Sequence, residues 1–353
     1  MNHDRPCSSN GGSLDTQSSK GIANKKRDRP ISLASNGNFK NYYAIRRDVR
    51  QEDRQKNDDK RASDKRVEAI TTWINSHKMV EGVPCRRIET YLDIGCNTGQ
   101  CTFELAQYLN DQPKHVIGID IDEDLVRQAR ITAKSYGYQN NLQSSANQVL
   151  GSGRVGYSTD QPRKRLRLEE SAEAYVSTIL TCDWTYNNGL EEDIEKLTKH
   201  NNEGYDLITV LSVSKWIQLE HADAGIRVFF ARICNSLKSG GLFIFEPQPF
   251  KSYKGLHKIT KPSSRERQNI AQMKIFPDDF PWILTIEFGL IGPFFIRCRG
   301  QNGFIRDIQA YLQPEKIDSK ILLHRKEILK SAKEERHSFD TVPWVQRDRQ
   351  QSV

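Results

Sequence analysis

Tyr91-Leu92-Asp93-Ile94-Gly95-Cys96-Asn97-Thr98-Gly99 is the stretch that decides how this chain folds. A short apolar run ends in a glycine-rich turn, and Gln100 to Leu109 continues with helical spacing. The order is strand, tight turn, helix, with glycines where the backbone must approach a bound ligand. Glycine turns after strands also occur as plain turns, so the reading leans on the neighbouring segments. Working outward, His115-Val116-Ile117-Gly118-Ile119-Asp120 reads as a second strand ending in an acid. That acid stands at about the offset, roughly twenty residues, from which a carboxylate reaches a nucleotide ribose. A nucleotide-like cofactor is the expected ligand, with Asp120 on its two ribose hydroxyls.

The motif is not a G-x-G-x-x-G. Asp93-x-Gly95-x-Asn97-x-Gly99 fits the S-adenosylmethionine pocket of a class I methyltransferase better than a pyrophosphate site. Further along, Glu123 to Ile131 is amphipathic with acids in its first turn, as a helix dipole favours. Tyr175 to Asp183 reads as a third strand, and ligands collect at the carboxyl ends of such strands. There Asp183 is placed to accept from an adenine amino group while Trp184 covers the ring; the plainer alternative is that Asp183 caps a helix. Gly189 to His200 reads as a short charged helix. Tyr205 to Val213 is almost continuously apolar, the pattern of a strand buried on both faces. Ser214 to Glu220 comes next at its carboxyl end, where catalytic and substrate groups belong.

Ala224 to Lys238 reads as a helix closed by Ser239-Gly240-Gly241, which releases the chain into a fifth strand, Leu242 to Glu246. Pro247-Gln248-Pro249 then fixes a rigid extended path. Ser264 to Lys274 and Asp278 to Phe288 have helical patterns, and Ile291 to Arg297 and Phe304 to Leu312 read as two final antiparallel strands. The sum is an α/β fold, a Rossmann-like doubly wound sheet with an antiparallel closing hairpin.

Composition sets the bounds. The chain has 353 residues, enough for one large domain or two small ones. Hydrophobic content of 36% with a mean hydropathy of -0.70 is low for a compact domain, so part of the chain is expected to be disordered. Residues 1–36 form the first such segment, a basic arm containing Lys25-Lys26-Arg27. A second is a basic insertion over 139–174, with Arg163-Lys164-Arg165-Leu166-Arg167. The domain itself spans 37–314, and 315–353 is a charged C-terminal tail whose Lys316 to Arg336 is either helical or disordered. Lys and Arg outnumber Asp and Glu by 53 to 45, and the isoelectric point near 9.0 favours a polyanionic partner. The basic clusters then serve as RNA contacts or nuclear addresses, or are solvated charge. Seven cysteines without a C-x-x-C pair read as reduced thiols of a cytosolic or nuclear protein without a metal site. With no apolar run near the roughly twenty residues of a membrane span, no membrane partner is expected.

Ahead of the first strand, Tyr42 and Tyr43 stand between Lys40 and Arg46. Aromatic faces among cations stack on bases or line a phosphate pocket; otherwise the tyrosines simply pack on the domain. Val67 to Ile74 then has helical spacing.

Four stretches together carry a resemblance: Gly37-Asn38-Phe39-Lys40-Asn41-Tyr42-Tyr43, Leu92 to Gly99, Leu211-Ser212-Val213-Ser214-Lys215-Trp216-Ile217, and Glu246-Pro247-Gln248-Pro249-Phe250-Lys251-Ser252-Tyr253. From about Gly37 to Leu312 the chain resembles the Bicoid-interacting family of RNA methyltransferases, which includes the methylphosphate capping enzymes of small nuclear RNA. The glycine motif is shared widely, whereas Lys-Trp-Ile joined to Glu-Pro-Gln-Pro is far more specific. The resemblance implies S-adenosylmethionine as methyl donor and the terminal (gamma) 5′ phosphate of a small non-coding RNA as acceptor. It also implies a role in stabilising that RNA, with its adjacent stem, in a ribonucleoprotein. A nuclear location and a monomeric catalytic unit are the expectation. By position, Tyr43, Gly95, Asn97, Asp120, Ile121, Asp183, Trp184 and Leu211 fall on cofactor contacts, with Arg66 or its rival Arg54. Tyr42, Arg46 and Lys215 fall on the phosphate side. The chain departs from the family at Gln218 and Glu220, where His and Asn are usual, and at Phe250, where Trp is usual. A carboxylate at 220 near an anionic substrate is expected to weaken phosphate binding. Three rival readings remain: a non-catalytic chaperone of a small nuclear RNA particle, a methyltransferase for a 5′ monophosphate end, and a small-molecule methyltransferase, which explains the fold but not the basic arms or the paired tyrosines.

Overall fold

The computed structural model describes residues 64–77, 79–80, 82–140, 175–186, 188–189, 193, 195–197, 202–255, 262–298 and 307–339. The arm over 1–36, most of the insertion, and Tyr42, Tyr43, Arg46 and Arg54 lie outside them.

Among the described residues one sheet carries seven main strands, β1 (Thr90–Ile94), β2 (His115–Asp120), β3 (Val176–Asp183), β4 (Tyr205–Leu211), β5 (Leu237–Glu246), β6 (Ile291–Ile296) and β7 (Ile308–Leu312), and two strands of two residues, Gln139–Asn140 and Asn188–Gly189. Their order across the sheet is β6-β7-β5-β4-β1-β2-β3, with the short strand Gln139–Asn140 beyond β3. Pairings among β1 to β5 are parallel, and β7 runs antiparallel to both β5 and β6. This is the doubly wound sheet with a closing hairpin that the sequence pattern predicts. The chain reverses direction across β1, so helices from both sides leave the carboxyl edge beside each other, where such sheets bind ligands.

Alternation along the strands sorts side chains onto two faces. Leu92, Ile94, Ile117, Ile119, Ile208, Val210, Phe243 and Phe245 join one buried cluster with Phe229, Phe230 and Phe280. Tyr91, Val116, Leu207, Leu242 and Ile244 join the other, with Val67, Ile70, Phe103 and Val126. The second face is covered by α1 (Lys65–Ser76), α2 (Gln100–Tyr108) and α3 (Glu123–Ser135). Asp64 caps α1, and Asp122 caps α3 by accepting from the amides of Asp124 and Leu125.

Several elements differ from the sequence pattern. Ser214 to Glu220 is helical, and α4 runs from Ser214 to Ser236 with a break at Ala222. The helix stops at Ser236 rather than Lys238, because β5 already begins at Leu237. The Ser-Gly-Gly turn survives as an irregularity inside that strand, between the pairings Tyr205 to Leu237 and Leu207 to Leu242, with Gly240 at φ +72. α5 (Phe250–Lys254) and α6 (Ser264–Gln272) come after it. Pro277 to Glu287 winds as a 3₁₀ turn, one α turn and a π turn in place of a single regular helix, consistent with Pro277 and Pro281 withholding two amides.

Past residue 314, the helical alternative for the C-terminal stretch is the one found. α7 (Ser319–Phe339) lies against α4. Arg325 is fully buried, donating to the carbonyls of Cys234 and Phe288. Glu287 accepts from both Arg227 on α4 and His324 on α7.

Candidate active site

At the carboxyl edge the register places Leu211 and Glu246 side by side, one step beyond the aligned Val210, Ile94 and Ile119. Gly95, Asn97, Ile121, Asp183, Leu211 and Ser212 are partly exposed there, while Leu92, Ile117, Ile179 and Ile208 beneath are buried. The sheet thus opens at this edge along the row of residues expected to touch a cofactor.

The glycine turn is fixed by backbone bonds. The amides of Gly95 and Cys96 donate to the Ile119 carbonyl at 2.7 and 2.9 Å, tying β1's end to β2. Gly95, Asn97 and Gly99 all have positive φ. A Cβ on Gly95 would sit 2.3 Å from Val213 Cγ2, so glycine is required there by the chain's own approach to the start of α4.

Asp120 ends β2 with one oxygen accepting from the Asn97 amide at 2.8 Å and the other from the Asp122 amide at 3.0 Å. Burial pushes its carboxyl up to about 6 against those two bonds. Each oxygen keeps acceptor capacity.

Asp93 has a different task from the one expected. Its oxygens accept from Thr102 and Thr209 hydroxyls, both at 2.5 Å, on the face toward α1 and α2. It joins β1, α2 and β4, and it is buried. Trp184 also departs from expectation. Its ring is buried in the core, edge-on to Tyr205 at 6.5 Å and beneath Arg232, so it is not a cover for a ligand ring at the open edge. Asp183 does remain at the edge, accepting from the Thr185 amide and from His221.

Arg66 is buried between two acids: its guanidinium meets Asp64 at 2.6 Å and Glu246 at 3.0 Å. Glu246 in turn accepts from the Ser212 hydroxyl at 2.6 Å. Gln248 completes this brace. Its side-chain oxygen accepts from Ser214 Oγ and the Lys215 amide, both at 3.1 Å, and its amide donates to the Ser212 carbonyl. The Pro-Gln-Pro path is therefore a strut under the first turn of α4. Lys215 lies on that turn, with Nζ 4.2 Å from the centroid of the Trp216 ring.

The three departures from the family pattern are each accommodated. Gln218 is fully buried, donating to Asp223 and the Ile275 carbonyl and accepting from Tyr253. Glu220 pairs with Arg265 at 2.7 Å, which offsets the repulsion expected of a bare carboxylate. Phe250 packs against Tyr253 and Phe276.

Nothing in the local sequence pattern singles out Thr102, Thr209, Ser212, Asp223 or His221. Thr209, Ser212 and His221 act through partners more than thirty residues away, and the prolines around Gln248 are a signal only for its contact with Ser212.

Residues 205–313 match the Bicoid-interacting protein 3 (Bin3) family, and residues 87–148 match a methyltransferase domain. Over β4 to β7 the chain is similar to the Bin3 family. It is 27% identical over 281 residues to a probable RNA methyltransferase of Arabidopsis thaliana, covering 78% of this chain and 79% of that one. It is 29% identical over 231 residues to the U6 snRNA methylphosphate capping enzyme Amus of Drosophila melanogaster, covering 64% and 63%. To the human 7SK snRNA methylphosphate capping enzyme it is 27% identical over 213 residues, covering 55% of this chain and 30% of that protein. The Bin3 match covers β4 to β7 and hence the Gln248 strut and Lys215; the methyltransferase match covers the glycine turn and Asp120.

The protein is a methyltransferase with a class I sheet, and its cofactor is S-adenosylmethionine. The residues present fit that cofactor. Asp120 is a buried carboxylate that no ion pair reaches among the described residues, and it has lone pairs to spare for two hydroxyls.

Proposed function

We propose that this protein methylates the 5′ terminal phosphate of a small non-coding RNA in the nucleus, the gamma phosphate where the end is a triphosphate, and helps stabilise that RNA in a ribonucleoprotein. The supporting observation is the union of two halves at one edge: a buried, ribose-competent Asp120 at the end of one strand and a lysine on the first turn of the helix that follows a strand two positions away. The relatives' activities on small nuclear RNA ends agree with it.

In this reading Asp120 holds the ribose, and Gly95, Asn97, Ile121 and Leu211 line the donor's nucleoside. Asp183 accepts from the adenine, and Arg66 and Tyr43 orient the amino-acid portion. S-adenosylmethionine supplies an electrophilic methyl group. The attacking phosphate oxygen is already ionised near neutral pH, so the chain need not supply a strong base. Its work is alignment, which can contribute roughly 7–11 kcal/mol. Lys215, Arg46 and Tyr42 offset the desolvation of the phosphate with charge-assisted hydrogen bonds. The strut from Gln248 fixes the Lys215 backbone, and hence the place from which its ammonium reaches the acceptor.

The test supplies labelled S-adenosylmethionine and total RNA, with and without prior removal of terminal phosphates, and then defined RNAs bearing a 5′ triphosphate, monophosphate or hydroxyl. Label is expected on phosphorylated ends and absent from hydroxyl ends. Label that persists after phosphate removal overturns the acceptor assignment. A particle rescued equally by a variant that cannot bind the donor favours the chaperone reading.

A further inference from the structure

His221 precedes the break in α4 and reaches to the end of β3, where its Nε2 lies 2.9 Å from Asp183 Oδ2. A carboxylate accepts, so that ring nitrogen carries the hydrogen. The other carboxylate oxygen accepts from the Thr185 amide at 2.8 Å. With a donor on each oxygen the carboxylate is held in one orientation, and each oxygen retains a lone pair at the partly exposed edge. Burial alone would raise this carboxyl; the hydrogen bond and charge of His221, with the Thr185 bonds, outweigh it and leave it below the ordinary carboxylate value. Asp183 is therefore ionised and purely an acceptor at neutral pH.

The helix is distorted where His221 stands. Ala222 sits at φ 55, ψ −160, a region that residues with a side chain rarely occupy. The distortion is held from several sides. The Asp223 carboxylate accepts from Gln218 and from the amides of Lys274 and Ile275. Gly225 leaves room for the bend, since a Cβ there would fall 2.1 Å from His221 Cβ. The Tyr186 ring meets His221 edge-on, with centroids 4.8 Å apart. Local strain kept in place by so many contacts marks a position whose geometry is used.

We propose that His221 is a positioning residue for adenine recognition: it orients Asp183 so that the carboxylate accepts from the exocyclic amino group of the bound cofactor. The proposal rests on the proposed placement of Asp183 at the adenine. It adds a residue that acts on the cofactor through Asp183, with the bend in α4 as the device that delivers it.

The test titrates the full chain calorimetrically with S-adenosylhomocysteine and with its analogue carrying purine in place of adenine, which lacks the amino group. The wild type is expected to prefer S-adenosylhomocysteine by about tenfold, the size of one hydrogen bond. His221→Phe keeps a ring against Tyr186 but loses the donor, and is expected to bind both ligands about equally, at the affinity of the analogue. Loss of affinity for both in equal proportion means a merely structural role and overturns the proposal, as does an intact preference. A wild type that binds both ligands alike overturns it by removing Asp183 from the adenine. A wild type that binds neither overturns the cofactor reading itself. Should His221→Phe fail to fold, the imidazole nitrogen resonances of His221 in the wild type decide. They are expected to shift with S-adenosylhomocysteine and to shift less with the analogue, and equal responses to the two overturn the proposal.

Discussion

The glycine turn and the first turn of α4 meet at the same edge of the sheet, yet they are held by different means. Around Gly95 the chain folds on its own backbone: two amides bond to the Ile119 carbonyl, and Asp120 accepts from two nearby amides. Around Lys215 the restraints reach far along the sequence through side chains: Gln248 comes from 33 residues away, and the Gln218 side chain donates to the Ile275 carbonyl 57 residues on. The first half depends on glycine at Gly95 and on the one carboxylate of Asp120. The second is only as rigid as its individual polar contacts, and one substitution can loosen it.

The sharpest way to break the contrast is Lys215→Ala. It is expected to lower methyl transfer about 100-fold or more, the scale of removing one preorganised donor, while S-adenosylhomocysteine affinity, read by calorimetry, changes by less than about threefold. Equal losses in both would merge the two halves into one. Next in size is Asp120→Asn, expected to weaken S-adenosylhomocysteine about tenfold or more. Wild-type affinity should itself fall as pH drops through about 6, where this carboxyl takes up its proton. Stability should move the other way. A carboxyl raised by burial stabilises the folded chain fully below its ordinary value of 3.8, and that contribution is lost as pH rises through about 6.

Gln248→Leu sharpens the picture of the second half. It removes the hydrogen bonds to the Ser214 hydroxyl, the Lys215 amide and the Ser212 carbonyl, and is expected to cost about 1–3 kcal/mol in urea unfolding. Turnover should fall with it, more than donor affinity does. The smallest effect is expected of Glu220→Asn. Because Glu220 is already paired with Arg265 at a half-exposed site, methyl transfer should change by less than about threefold. A large gain in turnover would mean that Glu220 does repel the substrate.

The same contrast separates what is legible in the sequence from what is not. Strand order, the glycine turn and the acid ending β2 follow from periodicity and spacing, which are local. The tasks of Asp93 and Trp184 do not: whether Asp93 meets a ligand or two threonines depends on Thr209, more than a hundred residues away, and Trp184 turns inward to Tyr205. The break at Ala222 is invisible in the sequence because neither alanine nor its neighbours announce a positive φ. The α7 stretch reads equally as helix or disorder because its charge pattern masks Arg325, which the fold buries.

Glu246 belongs to both halves, gripping Arg66 with the same carboxylate that holds Ser212. A shared carboxylate makes the two sides energetically dependent. Removing Arg66 and removing the Ser212 hydroxyl should therefore cost less together than the sum of the separate losses. Donor and acceptor sites that can be described one at a time would then have to evolve as a pair.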